Sequence, residues 1–340
     1  MDAAVESGVA QGLAGVVLVT DAKATTYARA VGLADVAAGR PHRLRAVWPW
    51  ASVTKEVTSA LVMQEVAAGW MSLEAPVSTY LPAFKSPNAS ATLRQLLQHT
   101  SGLPNPSETP EGAGGVPGFY LKTGAATGNT ASALGFCAGT PQHPPGGPRF
   151  DYNNCDYLVL GAALERVTGQ SYARLVKTRI AEPIHARSLS AARDRVAPYG
   201  SDVTGYDEPG KPAALWNLST LGAGGALGGT AEDLAAFDRA LLTFKLVPEA
   251  QSRVMWEGDP KLGYVALGVW GFSAPLKGCT GQVELVERRG EAAGVEVRNV
   301  LAPKLGKALI VLTNNQATPF GEVWQGKGLS YDLLSAAFCH

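Results

Sequence analysis

Strand-forming sequence stands at both ends of this chain and is missing from its middle, and this distribution limits the fold more than any other feature. Residues 14–20 (AGVVLVT) and 24–32 (ATTYARAVG) are β-rich runs separated by the turn-like Asp21-Ala22-Lys23, which predicts an antiparallel hairpin. A third short strand is expected at 45–48. Strand character returns only at 263–271, 283–288, 295–301 and 307–314, ahead of a closing helix near 323–338. Between them the apolar period is helical. Residues 52–69 follow the 3.6 spacing and end at Gly69, a fitting terminator. Residues 92–99, 158–168, 171–180 and 230–242 read as further helices, with Thr92 and Thr230 as N-caps. Residues 104–147, rich in Pro, Gly, Ser and Thr, read as irregular surface. Terminal strands around a helical middle predict a discontinuous arrangement: a mixed α/β (α+β) lobe of residues 1–72 and 245–340, with an antiparallel sheet flanked by helices, and an inserted all-helical lobe of residues 73–244.

The 340 residues are 46% hydrophobic and 17% charged, enough apolar material for a sizeable core. Formal net charge is zero, so no basic field draws nucleic acid, and the longest apolar runs are far too short to span a membrane. Residues 1–13 carry two acids and no Lys or Arg, unlike the basic start of a signal peptide; either the protein is cytosolic or a leader has been removed. The five histidines (42, 99, 143, 185, 340) are scattered and the four cysteines (137, 155, 279, 339) form no CxxC, so no metal site is expected. The cysteines are read as four reduced, half-buried thiols. The alternative is a Cys137–Cys155 disulfide across the Pro-rich loop, should the protein be exported.

Chemistry is suggested first by Ser52-Val53-Thr54-Lys55. On a helix, positions i and i+3 share a face, so the Lys55 amine can reach the Ser52 hydroxyl. Partial burial would lower the lysine's pKa towards the role of a base. About one SxxK arises by chance in a chain this long, and the bland alternative is a capped helix with a solvated lysine. The second element is Tyr152-Asn153-Asn154: a tyrosine beside a lysine can relay a proton, and an Asn side chain can hold a substrate amide. The chain has no GxSxG, no GxxxxGK[ST] and no HExxH to compete.

The segment PWASVTKEVTSALVMQEVAAGWMSLEAPVSTYLPAF followed by TLRQLLQHTSGLPN resembles the nucleophile helix and next segment of class C β-lactamases and family VIII esterases. PGGPRFDYNNCDYLVLGAALERVTGQSY resembles their Y-x-N segment, and GAGGALGGTAEDLAAF their late Gly-rich turn and helix. The blocks occur in the order and spacing of the serine β-lactamase and penicillin-binding-protein superfamily. The resemblance implies that fold, with Ser52 as acylated nucleophile, Lys55 as general base, Tyr152 as second proton relay and Asn154 as a substrate contact. It implies backbone N–H groups of Ser52 and of the third-motif strand as the oxyanion hole. It also points to a periplasmic or secreted setting.

The third motif departs from the family's Lys-Thr-Gly or His-x-Gly. Arg288 stands at the Lys or His position and Gly290 at the Gly. Arg288 either binds a substrate carboxylate in bidentate fashion or is neutralised by Glu287 and Glu291 as a structural ion pair. The literal Lys122-Thr123-Gly124 precedes Tyr152 and is a coincidence of order. His99, in QHTSGLP, is expected to be a hydrogen-bonded structural residue. The implied activity is a serine hydrolase acting through an acyl-enzyme on a small acyl ester, a β-lactam or a D-amino-acid peptide, without metal or organic cofactor. Its expected partner is a small-molecule substrate, with neither nucleic acid nor membrane, and its expected state a monomer or weak homo-oligomer. The alternative is a penicillin-binding-like protein that holds ligands without efficient turnover because of Arg288.

Overall fold

The computed structural model describes residues 1–340 except 125–130, 148, 201 and 340. His340, and the parts of the 104–147 loop and of the PGGPRF block that fall at 125–130 and 148, lie outside the described residues.

Six strands make the main sheet: β1 (Gly15–Asp21), β2 (Thr25–Val31), β3 (Trp270–Pro275), β4 (Gln282–Ala292), β5 (Val295–Ala302) and β6 (Lys307–Thr313). Their order is β3-β4-β5-β6-β1-β2 and every pairing is antiparallel. The expected hairpin is β1–β2. The two chain ends meet where β1 pairs with β6, Val17 opposite Val311. That closure is driven by burial, since β1 reads GVVLVT and is buried on both faces. One face carries Val17, Val300, Leu309 and Val311 beneath the helices α1 (Asp2–Ala10) and α7 (Leu329–Phe338). The other carries Val16, Val286, Val297 and Ile310 and packs into the larger core around α2 (Thr54–Ala67).

Several expectations are met with shifted edges. Thr92 caps α3 (Leu93–Leu97) in a capping box with Gln95, and Thr230 caps α5 (Ala231–Leu242) in another with Asp233. Gly69 follows α2 with φ +76, a backbone state that favours glycine. Helix α4 (Cys155–Thr168) begins three residues before the expected 158 and ends at left-handed Gly169.

Other expectations fail for stated reasons. Residues 263–269 form no strand; the edge strand begins at Trp270, after positive-φ turns at Gly263, Tyr264 and Gly268. The 45–48 strand shrinks to Trp48–Pro49, paired with Leu227–Gly229. Helices Asp2–Ala10, Ala131–Cys137 and α6 (Glu249–Trp256) were not expected; all three are short, at nine, seven and eight residues. The reading of four reduced thiols is overturned: Cys137 bonds Cys155 and Cys279 bonds Cys339. The alternative Cys137–Cys155 bridge is the one formed at the start of α4, whereas the last helix returns Cys339 to the turn after β3, a pairing that the spacing does not reveal.

Candidate functional site

Ser52 sits in a 3-10 turn, Ala51–Val53, immediately ahead of α2. Ala51 holds φ +45, a strained value for a residue with a Cβ. The strain is sustained by the packing of Trp50 and Ala51, both fully buried. From this turn the Ser52 hydroxyl reaches Tyr152 OH at 2.6 Å and accepts from Lys55 Nζ at 3.2 Å. The serine and lysine are three residues apart, and the helix starting at Thr54 stacks them. Tyr152 arrives on the loop before α4, 100 residues away in sequence.

Lys55 is fully buried. Its ammonium donates to Asn154 Oδ1 and to the Gly224 carbonyl, each at 2.7 Å. It lies 4.8 Å from the Tyr152 ring centroid and 5.3 Å from that of Tyr157. Desolvation lowers its pKa to about 8, although the nearby Tyr152 and Asp156 pull the other way. Burial would raise Tyr152, but Lys55 and Arg288 together outweigh it and bring the phenol down to about 8. A serine hydroxyl thus faces an amine and a phenol that exchange protons near the same pH.

Asn154 is committed at both ends of its amide. Its oxygen takes the lysine and its Nδ2 donates to Tyr120 OH at 2.7 Å. Tyr120 stacks on Trp216 at 5.1 Å. Neither Tyr120 nor the Gly224 carbonyl was singled out from sequence. The Gly-rich block was the available signal for Gly224; Tyr120 lies in the irregular loop and had none. His99 is buried with Nδ1 2.9 Å from Asp156 Oδ2, and its ring lies 4.5 Å from that of Tyr152. Asp156 also accepts from Ser101 Oγ.

The structure brings Arg288 to the same cluster. Its Nε donates to the Ser52 carbonyl and its Nη2 to Tyr152 OH, each at 2.9 Å. Trp270 lies beneath it, the ring centroid 5.2 Å from the guanidinium. It is only 2% exposed. The expected ion pair with Glu287 and Glu291 is not formed. Alternation along β4 turns Arg288 to one face and residues 287, 289 and 291 to the other. There Glu287 pairs with Arg289 at 2.7 Å, and Glu291 contacts Gln316. Gly290, next along β4 on the Arg288 face, lies against the serine turn. A Cβ there would sit 2.3 Å from the Trp50 carbonyl and 3.0 Å from the Ser52 nitrogen. Pairing with β3 stops at Glu287, so β4 presents a free backbone edge beside the serine.

These groups line a cleft of about 920 Å³. Ser52, Tyr152 and Asn154 form its floor with Arg288 and Gly290; Trp216, Leu221, Tyr264, Trp270 and Phe272 form apolar walls. A smaller cavity lies between the sheet and α7, lined by Val311, Phe320 and Leu333, away from this chemistry. Lys122-Thr123-Gly124 stands on a separate loop, where Lys122 O accepts from Asn217 and Gly124 N–H donates to Asp194. Among the described residues no group of three or more His, Cys, Asp or Glu could hold a metal. None of their helices is long and apolar enough to cross a membrane.

The family model described as Beta-lactamase matches residues 1–326. Esterase EstB of Burkholderia gladioli is 37% identical over 188 residues, which cover 51% of this chain and 46% of the esterase. Penicillin-binding protein 4 of Amycolatopsis lactamdurans is 31% identical over 264 residues, covering 71% of this chain and 65% of that protein. The chain thus spans between about half and two thirds of the length of these curated relatives. A solved D-stereospecific amidohydrolase from Streptomyces sp. superposes with a TM-score of 0.77 at 24% identity, over 99% of this chain and 97% of that one, a likeness of fold.

Proposed function

The chain belongs to the beta-lactamase family, and on that premise we propose that it is a serine hydrolase that cleaves small, uncharged acyl esters through a covalent acyl-enzyme on Ser52. The observation that carries this reading is the Ser52 hydroxyl within hydrogen-bond reach of both Lys55 Nζ and Tyr152 OH on the floor of an open cleft. Lys55, or Tyr152 with Lys55 behind it, takes the hydroxyl proton as the oxygen attacks the carbonyl. The Ser52 N–H and the free edge of β4 beside Gly290 hold the developing oxyanion. Tyr152 returns the proton to the leaving group, and water releases the acid.

The preference for an uncharged ester rests on Arg288. Its guanidinium is buried and already donates to Ser52 O and Tyr152 OH, so it is poorly placed to clamp a substrate carboxylate. The apolar cleft walls suit an acyl chain or an aromatic leaving group. Paired cysteines fit an oxidising compartment, in line with the periplasmic or secreted setting that the resemblance implies.

A panel of p-nitrophenyl esters, nitrocefin and D-alanyl peptides tests the reading, with Ser52→Ala as control. Ester turnover and a serine-bound adduct in intact mass spectra, both lost in Ser52→Ala, are expected. Binding of a β-lactam with no turnover of any substrate would instead favour the ligand-holding alternative.

A further inference from the structure

Arg288 is a buried cation with no carboxylate at ion-pair distance among the described residues. A guanidinium in that position needs an opposing charge, because its desolvation costs several kcal/mol. On the paired strand, directly opposite Arg288 and on the same face, stands Asn299. The Asn299 amide nitrogen donates to Glu56 Oε2 at 3.1 Å and to Asp238 Oδ1 at 2.9 Å. Glu56 follows Lys55 on α2, and Asp238 comes from α5. All three side chains are fully buried. One nitrogen bridging both carboxyls keeps them no further apart than two hydrogen bonds. Their other oxygens, Glu56 Oε1 and Asp238 Oδ2, are buried with no donor.

We propose that Glu56 and Asp238, bridged by Asn299, retain one proton between them, and that the remaining negative charge rests on Glu56 as the counter-charge of Arg288. Glu56 is thereby a positioning residue that acts on Ser52 and Tyr152 through Arg288. Two bare carboxylates in one dry interior repel and lack solvation, whereas a retained proton removes one charge and supplies a donor to a cluster in which Glu56 Oε1, Asp238 Oδ2 and Asn299 Oδ1 have none. Burial pushes Glu56 up to about 7 and Asp238 well above its usual range, each opposed by Asn299.

The surroundings favour Glu56 as the charged member. Arg288 acts on Glu56 from β4, while Arg239, which acts on Asp238 from α5, already has Glu232 at 2.6 Å. Helix α2 itself contributes Lys55, whose amine turns to the cleft, and Asp156 of α4 acts on that lysine. Helix α6 pairs Glu249 with Arg253 at its exposed side, and β1 and β6 bring Val16, Leu18 and Ile310.

The inference rests on Ser52 as nucleophile, and its test separates the two. The rate of Ser52 labelling by a fluorophosphonate is followed by intact mass across pH, with thermal melting to check folding. Glu56→Gln removes the anion, so the cation cluster sheds protons more readily and the acid limb moves to lower pH by about one unit. Asp238→Asn leaves the limb in place, because Glu56 keeps its charge. Infrared spectra of the wild type at neutral pH show a protonated-carboxyl band that Asp238→Asn removes. An unmoved limb in a folded Glu56→Gln protein, or no such band in the wild type, overturns the inference. Absence of labelling in the wild type, or labelling that persists in Ser52→Ala, overturns the Ser52 reading instead, while the infrared band still reports on the shared proton.

Discussion

The Arg288 guanidinium donates to the Tyr152 hydroxyl at 2.9 Å from strand β4. A permanent cation therefore stands against the phenol that also touches Ser52. Arg288→Met keeps an unbranched apolar stem but is shorter and loses the charge and the donors. A charge-assisted hydrogen bond of about 1.5–3 kcal/mol corresponds to a fall in kcat of roughly 10- to 100-fold. Steady-state kinetics on the best ester of the panel measures it; unchanged kcat would remove Arg288 from the support of Tyr152.

Lys55 and Tyr152 both titrate near 8. A lysine lowered to about 8 is protonated and inert as a base below that pH and free above it. The phenol is available as an acid below about 8 and is lost above it. The pair should give a bell-shaped kcat/KM profile centred near 8, with limbs belonging to the pair rather than to either residue. Lys55→Ala should lower kcat by about 10²- to 10⁴-fold, the range of a lost general base. A pH-rate profile that is flat through 8 in the wild type contradicts this assignment.

Gly290 is held against the serine turn more closely than any side chain allows. In Gly290→Ala the new methyl must push away the Trp50 carbonyl 2.3 Å distant, and it reaches the Ser52 nitrogen. Labelling of Ser52 should fall by at least tenfold while the melting transition remains cooperative. Wild-type labelling in this variant would show that β4 does not contribute to the oxyanion contact.

The two disulfides close loops of different length, with a sequence separation of 18 for Cys137–Cys155 and 60 for Cys279–Cys339. Loop-closure entropy makes the longer crosslink the more stabilising by about 1 kcal/mol. A Cys279→Ser/Cys339→Ser variant is expected to melt about 1–2 °C below a Cys137→Ser/Cys155→Ser variant in scanning calorimetry. The reverse order would mean that local packing outweighs chain entropy at one of the bridges.

Local pattern carried much of this protein. The composition and length of the terminal runs made β1, β2, β5 and β6 legible: β1 and β6, buried on both faces, are written as continuous apolar sequence, and half-exposed β2 as a β-rich run across a short turn. The caps at Thr92 and Thr230 were legible because a capping box is closed within four residues. Ser52 and Lys55 were legible as a pair because one helical turn joins them. Everything that depended on distant residues was decided by the tertiary structure. Only packing turned Arg288 inward onto Tyr152, committed Asn154 to Lys55 and Tyr120, joined Cys279 to Cys339, and set Glu56 beside Asp238. A sequence specifies its near neighbours through backbone geometry. The charge balance of a buried site depends on side chains a hundred or more residues apart, and these meet only when the core closes around them.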